Sequence, residues 1–467
     1  MDANTFMLTF FTLLSEHLVW YLTCLFIVVV CVYFLMRRHL FSVLDPLFFM
    51  LIVNETFCIA DVLFMFQFGM IDARIAVNYL LTESAMFIGI LQFGVIARSM
   101  VFSPLPATGQ PALALKVSYA LSLVLFVALH LLVYVERGIP ILQKSRLVIY
   151  KSPGWGVLDR VFDVFLVIVI YYLMDVLRRR PWKFAEWSSI LTLIAIEILS
   201  GAKSSVMVLF GIAGLASYFI GTSKTYFSLR SNYFRIGILL AMAGAFAVII
   251  IQRNGVEQDE QQLSPVDLLV FRLVSSGDAL IYAYPNQFIE TLDSRNPLGA
   301  VLKEFLTTFR IVPSDELPEH IGVQIVEHLG GNGKETMTNA KHNLFGFVYF
   351  GFCGSILYSY LVGTSVGLVR YTLRRRLPRN WVGGVIFTMM SFGTIGMIVE
   401  PDFAPRYVIG ILIIFIPFVF LASVLATAVR SSARASGGVG GGACLEAVVR
   451  QVKLARDLNY HVLRQKL

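Results

Sequence analysis

The sequence predicts an all-α polytopic membrane protein with about eleven transmembrane helices and one large external helical loop. Of its 467 residues, 57% are hydrophobic and only 15% are charged, whereas about 25% of the residues of a soluble domain are charged. The mean hydropathy is +0.74. Because about 20 apolar residues cross a bilayer as a helix, apolar runs of this length between charged clusters predict repeated crossings. The composition excludes a disordered chain and argues against a soluble globular enzyme.

The apolar runs define eleven candidate spans along the chain. They cover residues 18–36, 46–69, 79–97, 113–134, 161–177, 187–200, 204–220, 236–252, 344–369, 381–399 and 407–429. Only a short polar turn separates the runs 187–200 and 204–220. One helix across both would have about 34 residues and would exceed a hydrocarbon core of about 30 Å. We therefore expect two spans in this region.

The distribution of basic residues predicts the orientation of the spans. Clusters around Arg37, Arg178, Arg230 and Arg374, and the tail from Arg430, fall on alternate loops. Basic loops are cytoplasmic by the positive-inside rule. The N-terminus is therefore predicted outside, the C-terminus inside, and the segments 135–160, 253–343 and 400–406 on the external face. The net charge of +8 thus lies beside membrane segments, which argues against a nucleic acid partner.

This pattern predicts four parts of the chain. They are an N-terminal transmembrane bundle (1–252, with the external loop 135–160), a large external loop subdomain (253–343), C-terminal transmembrane helices (344–429) and a cytoplasmic basic tail (430–467). The first span is expected to direct insertion, since no removable signal peptide is recognisable. The five cysteines form neither a disulfide framework nor a Cys-x-x-Cys metal pair.

The two longer external loops differ in charge. The loop 135–160 is basic, although the positive-inside rule expects few positive charges there. Arginine and lysine at a membrane surface suit phosphate or pyrophosphate, and solvated charges beside the interfacial anchor Trp155 are the alternative. The loop 253–343 is acidic, with thirteen carboxylates against seven cations. Its apolar periodicity at 268–274 and 298–306 predicts amphipathic helices that cap a membrane cavity.

Ionisable residues near or inside the spans are candidates for function, because they are costly in a membrane. They are Glu55, Asp61, Glu83, Asp163, Glu197 and Lys203. We favour Lys203, which lies at the predicted external end of two helices, with Glu197 as its partner. For Glu55, Asp61 and Glu83 we favour structural pairing.

Several short motifs resemble one family. They are Gly138-Ile139-Pro140-Ile141-Leu142 with Ser145-Arg146, Gly154, Gly156 and Arg160; the turn Gly201-Ala202-Lys203; Phe271-Arg272 and Gly277-Asp278; and Asn339-Ala340-Lys341-His342-Asn343 before Tyr349 to Gly354. Together they resemble the bacterial oligosaccharide repeat-unit polymerases, the Wzy-type O-antigen and exopolysaccharide polymerases. The last motif is also distantly similar to that of O-antigen ligases. Seven residues separate Asn343 from Gly351, fewer than in the ligase pattern, which argues against a ligase.

The resemblance implies a fold, an activity and partners. It implies a GT-C-like helical fold and a metal-independent glycosyltransferase in the bacterial inner membrane. Donor and acceptor would be undecaprenyl-pyrophosphate-linked glycans, polymerised on the external face into O-antigen or exopolysaccharide. Polymerases of this type usually work with a chain-length regulator. Glycan ligation is one alternative, and transport of lipid-linked oligosaccharide is another, although the chain has no internal repeat of the kind found in transporters.

Seven residues are our candidates for the chemistry. Fixed cations stabilise a pyrophosphate leaving group, and this role is assigned to Arg146, Lys203 and Arg272, with Arg160 and Arg310 as second candidates. His342 is the candidate general base, and Asp278 is the alternative base or an orienting partner. Structural roles are the alternative. His342 could be a capping or buried structural residue, Arg272 could pair with Asp278, and Lys203 could be an anchor at the membrane interface. No cofactor is expected, and no metal, because the external face has no cluster with metal-ligand spacing.

Overall fold

The computed structural model of the chain describes residues 3–97, 112–143, 155–201, 205–221, 277–329, 338–401 and 403–436. As the sequence predicts, these residues form helices and turns and no strand. The α-helices are α1 (Ala3–Glu16), α2 (Leu18–Met36), α3 (Pro46–Gln67), α4 (Ala73–Ala97), α5 (Leu113–Arg137), α6 (Trp155–Arg179), α7 (Phe184–Leu199), α8 (Ser205–Ile220), α9 (Asp278–Ala283), α10 (Pro297–Val301), α11 (Lys303–Thr308), α12 (Ile321–His328), α13 (342–350), α14 (352–376), α15 (Trp381–Gly396) and α16 (403–436).

Six stretches of the described chain are long and apolar enough to cross a membrane. They are Leu18–Met36, Pro46–Gln67, Ala73–Gly94, Leu113–Leu142, His342–Arg376 and Ala404–Ser432. The predicted span 236–252 lies outside the described residues, and each other predicted span contains a helix. The chain is therefore compatible with a membrane protein, and eleven crossings stay a prediction. The region 187–220 contains two helices, α7 and α8.

Some helices begin or end away from the apolar runs. Helix α1, which precedes the first predicted span, has no counterpart among the predictions. Helix α5 extends to Arg137 and α6 begins at Trp155, so both ends of the predicted loop 135–160 are helical. A charged residue does not stop a helix when its side chain reaches solvent. The helix breaker is Gly138, whose positive φ of 86° ends α5.

The apolar side chains form two clusters that do not follow chain order. In one cluster, α1 to α4 pack with α9, α12, α13 and α14. In the other, α5 to α8 pack with α15 and α16. Both the segment before residue 252 and the segment after 344 thus contribute to each cluster. The large loop is part of the first core, since Leu280, Ile281 and Ile325 are fully buried in it.

The chain reverses direction at Gly351, between α13 and α14. Gly351 has φ 66° and ψ −168°, a conformation that glycine adopts readily. Across the reversal, His342 Nδ1 lies 2.9 Å from Ser359 Oγ, and the rings of Phe345 and Tyr358 stack at 5.3 Å. Residues 17 positions apart in one straight helix would be about 25 Å apart. The predicted span over 344–369 therefore contains two helices rather than one, because α13 and α14 form an antiparallel helical hairpin.

Helices α4 and α14 pack with their backbones in close contact. A Cβ atom on Gly363 of α14 would lie 2.0 Å from the carbonyl oxygen of Met86, and one on Gly89 of α4 would lie 2.5 Å from that of Tyr360. Small residues allow such contact in membrane proteins, where helix association depends on van der Waals packing. The two glycines therefore hold α13, which packs on α14, next to α4.

Arg370 differs from its neighbours in the basic cluster that the sequence analysis assigns to topology. It is only 2% exposed, and its Nη1 donates a 3.0 Å hydrogen bond to Asp45 Oδ1. Its Nη2 also donates to the carbonyl oxygen of His39. A bidentate arginine with these partners fixes α14 to the segment that precedes α3. Arg370 therefore has a structural role beyond orientation.

We expect Gly363→Ala to lower the thermal unfolding midpoint in detergent. The added methyl group collides with the Met86 carbonyl, and overpacking of this kind costs about 1–3 kcal/mol. The matched control is Gly156→Ala on α6, where the nearest atom to the new Cβ is 3.9 Å away. That variant should be neutral or slightly more stable, since alanine favours helix. Equal effects in both variants would contradict the close packing of α4 and α14.

Candidate functional site

A group of buried polar side chains lies where α3, α4, α13 and α14 meet. We call it the polar cluster, and it consists of Asn54, Glu55, Glu83, Lys341, His342, Asn343 and Ser359. Apart from Asn54, which is half-buried, its members are at most 2% exposed. Buried ionisable groups of this kind persist only when other charges or hydrogen bonds compensate them.

The first half of α3 supplies Asn54 and Glu55. Residues Phe49–Glu55 form a π-helix within α3, and the wider turn rotates the side chains that follow it relative to a regular α-helix. π-helical turns are rare and frequently occur at functional sites. Asn54 and Glu55 thereby both reach Lys341. Glu83, from α4, approaches the same point from a second helix.

Lys341 and His342 lie at the start of the half-length helix α13. Lys341 has a positive φ of 45°, which is uncommon for a residue with a Cβ and occurs mostly where the surroundings enforce it. The backbone N–H groups of Lys341 and His342 donate to the carbonyl oxygens of Val399 and Ile398, at 2.8 and 3.1 Å. The chain that follows α15 thus holds the N-terminus of α13 in place.

Each of the three consecutive residues 341–343 contacts a carboxylate. Lys341 Nζ donates to Glu55 Oε1 at 2.9 Å and also to Asn54 Oδ1. His342 Nε2 lies 3.5 Å from Glu83 Oε1, and Asn343 Nδ2 donates to the same oxygen at 3.1 Å. The Lys-His-Asn sequence therefore joins α13 to both α3 and α4.

The large loop also enters the bundle next to the polar cluster, through α9. Gly277, which precedes α9, lies against Cys58 and Asp61 of α3, since a Cβ there would be 2.8 Å from Asp61 Oδ2. Asp61 is fully buried and accepts a 2.7 Å hydrogen bond from Tyr21. At the other end of α9, the ring of Tyr284 is edge-on to that of Tyr79. Residues 277 and 341 thus contact neighbouring turns of α3.

A second group of charges lies where α6, α11 and α16 meet. Arg160, with a side chain 10% exposed, forms an ion pair with Glu304 of the large loop. Arg406 binds Asp159 and Asp163 at 2.8 and 2.7 Å. These pairs link the large loop to α6, and α6 to α16, two helices of the second apolar cluster. One cation predicted to bind pyrophosphate, Arg160, belongs to this group.

The predicted site residues fall into three sets. His342 is in the polar cluster and is fully buried. Arg160 and the exposed Arg310, which has φ 52°, lie close to α11. Asp278 begins α9 beside Gly277 and Asp61, and its side chain lies outside the described residues. Arg146, Lys203 and Arg272 also lie outside them.

The sequence analysis missed Lys341 and did not join Glu55 to Glu83. The available signals were two carboxylates in apolar runs and a lysine beside the candidate histidine. A sequence does not show that residues 286 positions apart, such as Glu55 and Lys341, pair. In the structure the ligand atoms of Glu55, Glu83 and His342 lie within 4.8 Å of one another. This arrangement could accept a proton or hold a cation.

Comparisons of the chain with protein-family models, with curated proteins and with solved structures return no match.

We expect Lys341→Met to destabilise the protein strongly. Removal of one partner of a buried ion pair leaves the other charge uncompensated and costs about 3–5 kcal/mol. The double variant Lys341→Met/Glu55→Gln should be more stable than Lys341→Met alone, because it removes the carboxylate that loses its partner. Thermal unfolding in detergent measures both.

The exposed pair of Arg295 and Asp293 is the matched control. Hydrogen bonds from Arg295 lower the pKa of Asp293 below its ordinary value, yet Arg295 is 89% exposed. Arg295→Met should therefore change the unfolding midpoint little. If Lys341→Met were as mild as Arg295→Met, the buried pair would not be important for stability.

Proposed function

We propose that the protein polymerises oligosaccharide repeat units linked to undecaprenyl pyrophosphate, on the external face of the bacterial inner membrane. Support comes from the short motifs that follow the family's order between residues 135 and 370. It also comes from the position in the structure of the last motif, which contains His342. The observation that carries the proposal is that both candidate bases, Asp278 and His342, occur where the large loop meets α3. Gly277 contacts Asp61, and Lys341 contacts Glu55.

The proposed reaction transfers a glycan from one lipid carrier to another. A hydroxyl oxygen of the acceptor repeat unit attacks the anomeric carbon of the donor glycan. The bond between that carbon and the pyrophosphate oxygen breaks, and undecaprenyl pyrophosphate leaves with the electron pair. The proton of the hydroxyl passes to a general base. No oxidant or nucleotide is consumed, so the chain has to supply a base and cations for the leaving group.

Cations beside α11 would bind the pyrophosphate. Arg160 and Arg310 lie there, and Arg146, Lys203 and Arg272 are the further candidates from the sequence. Arginine forms paired hydrogen bonds to phosphate oxygens, and in a partly dry site such bonds stabilise the charge that develops on the leaving group. The ion pair of Arg160 with Glu304 orients the guanidinium before substrate binds.

A second candidate function is transport of the lipid-linked oligosaccharide. The observation that favours it is the short helix α13, whose N-terminus lies among the ionisable side chains of the polar cluster. Secondary transporters bind substrates at discontinuous helices of this kind. Ligation of finished glycan to another acceptor is the third outcome of the experiment below.

Deletion of the gene followed by sizing of glycans distinguishes these functions. A polymerase mutant should accumulate single repeat units at the external face. Unattached long chains would indicate a ligase, and repeat units on the inner leaflet would indicate a transporter. Complementation with Asp278→Asn and with His342→Ala then tests the two candidate bases, because a variant that lacks the base should make no polymer although the protein stays folded.

We expect Arg160→Ala to reduce polymer formation by about 10²–10³-fold, the usual effect of removing one preorganised hydrogen-bond donor from a developing oxyanion. Glu304→Gln is the matched control, because it removes the ion pair and keeps the arginine. If Arg160 binds pyrophosphate, only Arg160→Ala loses activity. Equal losses in both variants would show that Arg160 merely attaches the large loop.

The proposed orientation places α10 outside and the α14–α15 connection in the cytoplasm. In a background without the five native cysteines, Leu298→Cys and Pro378→Cys introduce one exposed thiol each. On spheroplasts, a membrane-impermeant maleimide should label Leu298→Cys, and it should label Pro378→Cys only after lysis. The reverse pattern would overturn the orientation.

A further inference from the structure

Three atoms in the polar cluster have no hydrogen-bond partner among the residues that the structure describes. They are Glu55 Oε2, Glu83 Oε2 and His342 Nε2. All three side chains are at least 97% buried, so bulk water does not solvate these atoms. Buried polar atoms are nearly always satisfied in folded proteins, and exceptions call for a bound water, ion or proton.

The side chains of these three residues meet at one place. One ligand atom from each of Glu55, Glu83 and His342 lies within 4.8 Å of the other two. Two carboxylates this close repel each other unless one of them is protonated or a cation lies between them. Lys341 does not fill this position, because its Nζ is bound to the other oxygen of Glu55, Oε1, and to Asn54.

The hydrogen bond of His342 directs its second nitrogen to the same point. Nδ1 lies 2.9 Å from Ser359 Oγ, and when Nδ1–H donates to that hydroxyl, Nε2 carries a lone pair. Nε2 faces Glu83 Oε1 at 3.5 Å, where a lone pair would oppose a carboxylate. Metal-ligating histidines are usually held in this way, by a hydrogen bond from the ring nitrogen that does not bind the metal.

The charges of the polar cluster do not balance when its groups are ionised. Glu55 and Glu83 are two buried carboxylates, and Lys341 is the one buried cation that the structure describes beside them. Two negative charges and one positive charge leave a charge of −1, which a bound cation or a shared proton compensates, because isolated buried charges are too costly to remain.

We propose that Glu55, Glu83 and His342 bind one divalent transition-metal ion inside the helical bundle. Two carboxylate oxygens and an imidazole nitrogen suit Zn²⁺, Mn²⁺ or Fe²⁺ better than Mg²⁺ or Ca²⁺, which prefer oxygen ligands alone. Three protein ligands leave an open coordination position. The metal joins α3, α4 and α13, which contribute one ligand each, and so fixes the N-terminus of α13.

This inference goes beyond the proposed function, and it also decides which of the two candidate residues is the general base. With Nε2 on a metal, His342 cannot accept the proton of the acceptor hydroxyl. If the protein is a polymerase, the general base is then Asp278. His342→Ala would still lose activity, but it would do so together with the metal.

Metal content of the purified full-length protein tests the proposal without any activity assay. The protein in detergent is stripped with a chelator, loaded with Zn²⁺ or Mn²⁺, desalted and analysed by mass spectrometry of the elements. We expect about one ion per chain in the wild type and in the control Asp61→Asn, which removes a buried carboxylate outside the ligand set. Glu83→Gln and His342→Ala should each lose the ion.

Cobalt provides a spectroscopic readout of the same site. Loading of the stripped wild type with Co²⁺ should give visible d–d absorption bands typical of an ion bound by protein nitrogen and oxygen. The bands should persist in Asp61→Asn and disappear in Glu83→Gln. Zn²⁺ should also raise the thermal unfolding midpoint of the stripped wild type but not that of Glu83→Gln. Because each protein is compared with itself with and without Zn²⁺, this test still works if Glu83→Gln is less stable than the wild type.

Three outcomes would overturn the proposal. The first is a wild type that retains no Zn²⁺, Mn²⁺ or Co²⁺ and gains no stability from them, which would mean that protons balance the carboxylates. The second is metal bound equally by wild type and Glu83→Gln, which would mean that it binds elsewhere. The third is loss of metal in Asp61→Asn but not in Glu83→Gln. None of these measurements depends on polymer formation. The proposed metal site and the proposed polymerase activity are therefore tested independently of each other.

Discussion

An ionised side chain inside a membrane bundle needs a compensating charge, and the pairing of Lys341 with Glu55 follows from this constraint. The ammonium group and the carboxylate lie 2.9 Å apart and are almost completely buried. Desolvation of two such charges costs several kcal/mol each, and only a close and well-oriented contact offsets it. The positive φ of Lys341, the π-helical turn of α3 and the backbone hydrogen bonds to Ile398 and Val399 all serve to make this contact.

The large loop is joined to the membrane helices at several points. Its α9 end contacts α3 at Cys58 and Asp61, and its C-terminal end contacts α3 at Asn54 and Glu55. Between these ends, Glu304 is paired with Arg160 of α6. Both ends of the described loop therefore share one helix. A displacement of the loop would be transmitted to the polar cluster through α3.

The sequence predicts helix positions well and tertiary pairing poorly. Apolar runs locate helices because a helix that crosses a bilayer needs about 20 apolar residues in a row. This signal is local, since each segment can be recognised without knowledge of its neighbours. The reversal at Gly351 has no such signal. The residues on both sides of it are equally apolar, and a single glycine is common in membrane helices. A helical hairpin therefore has the same apolar composition here as a single span.

The candidate site shows the same limit. The motif predicts His342 as a candidate functional residue, but its burial depends on the hairpin that the sequence does not reveal. Glu55 and Glu83 were recognisable as intramembrane carboxylates and were interpreted as structural pairs. Lys341, close to His342 in the sequence, pairs with Glu55 only because α13 folds back along α14.

The position of Lys341 late in the chain has a consequence for biosynthesis. Glu55 is made 286 residues before its partner, and at about 5–20 residues per second the ribosome needs roughly 15–60 s to reach the lysine. During that interval α3 and α4 have emerged with Glu55 and Glu83, while α13 does not yet exist. The early helices therefore enter the membrane with carboxylates that are neutral or held by another group. Final assembly waits for the last third of the chain, when the short helix α13 inserts between helices that are already in place.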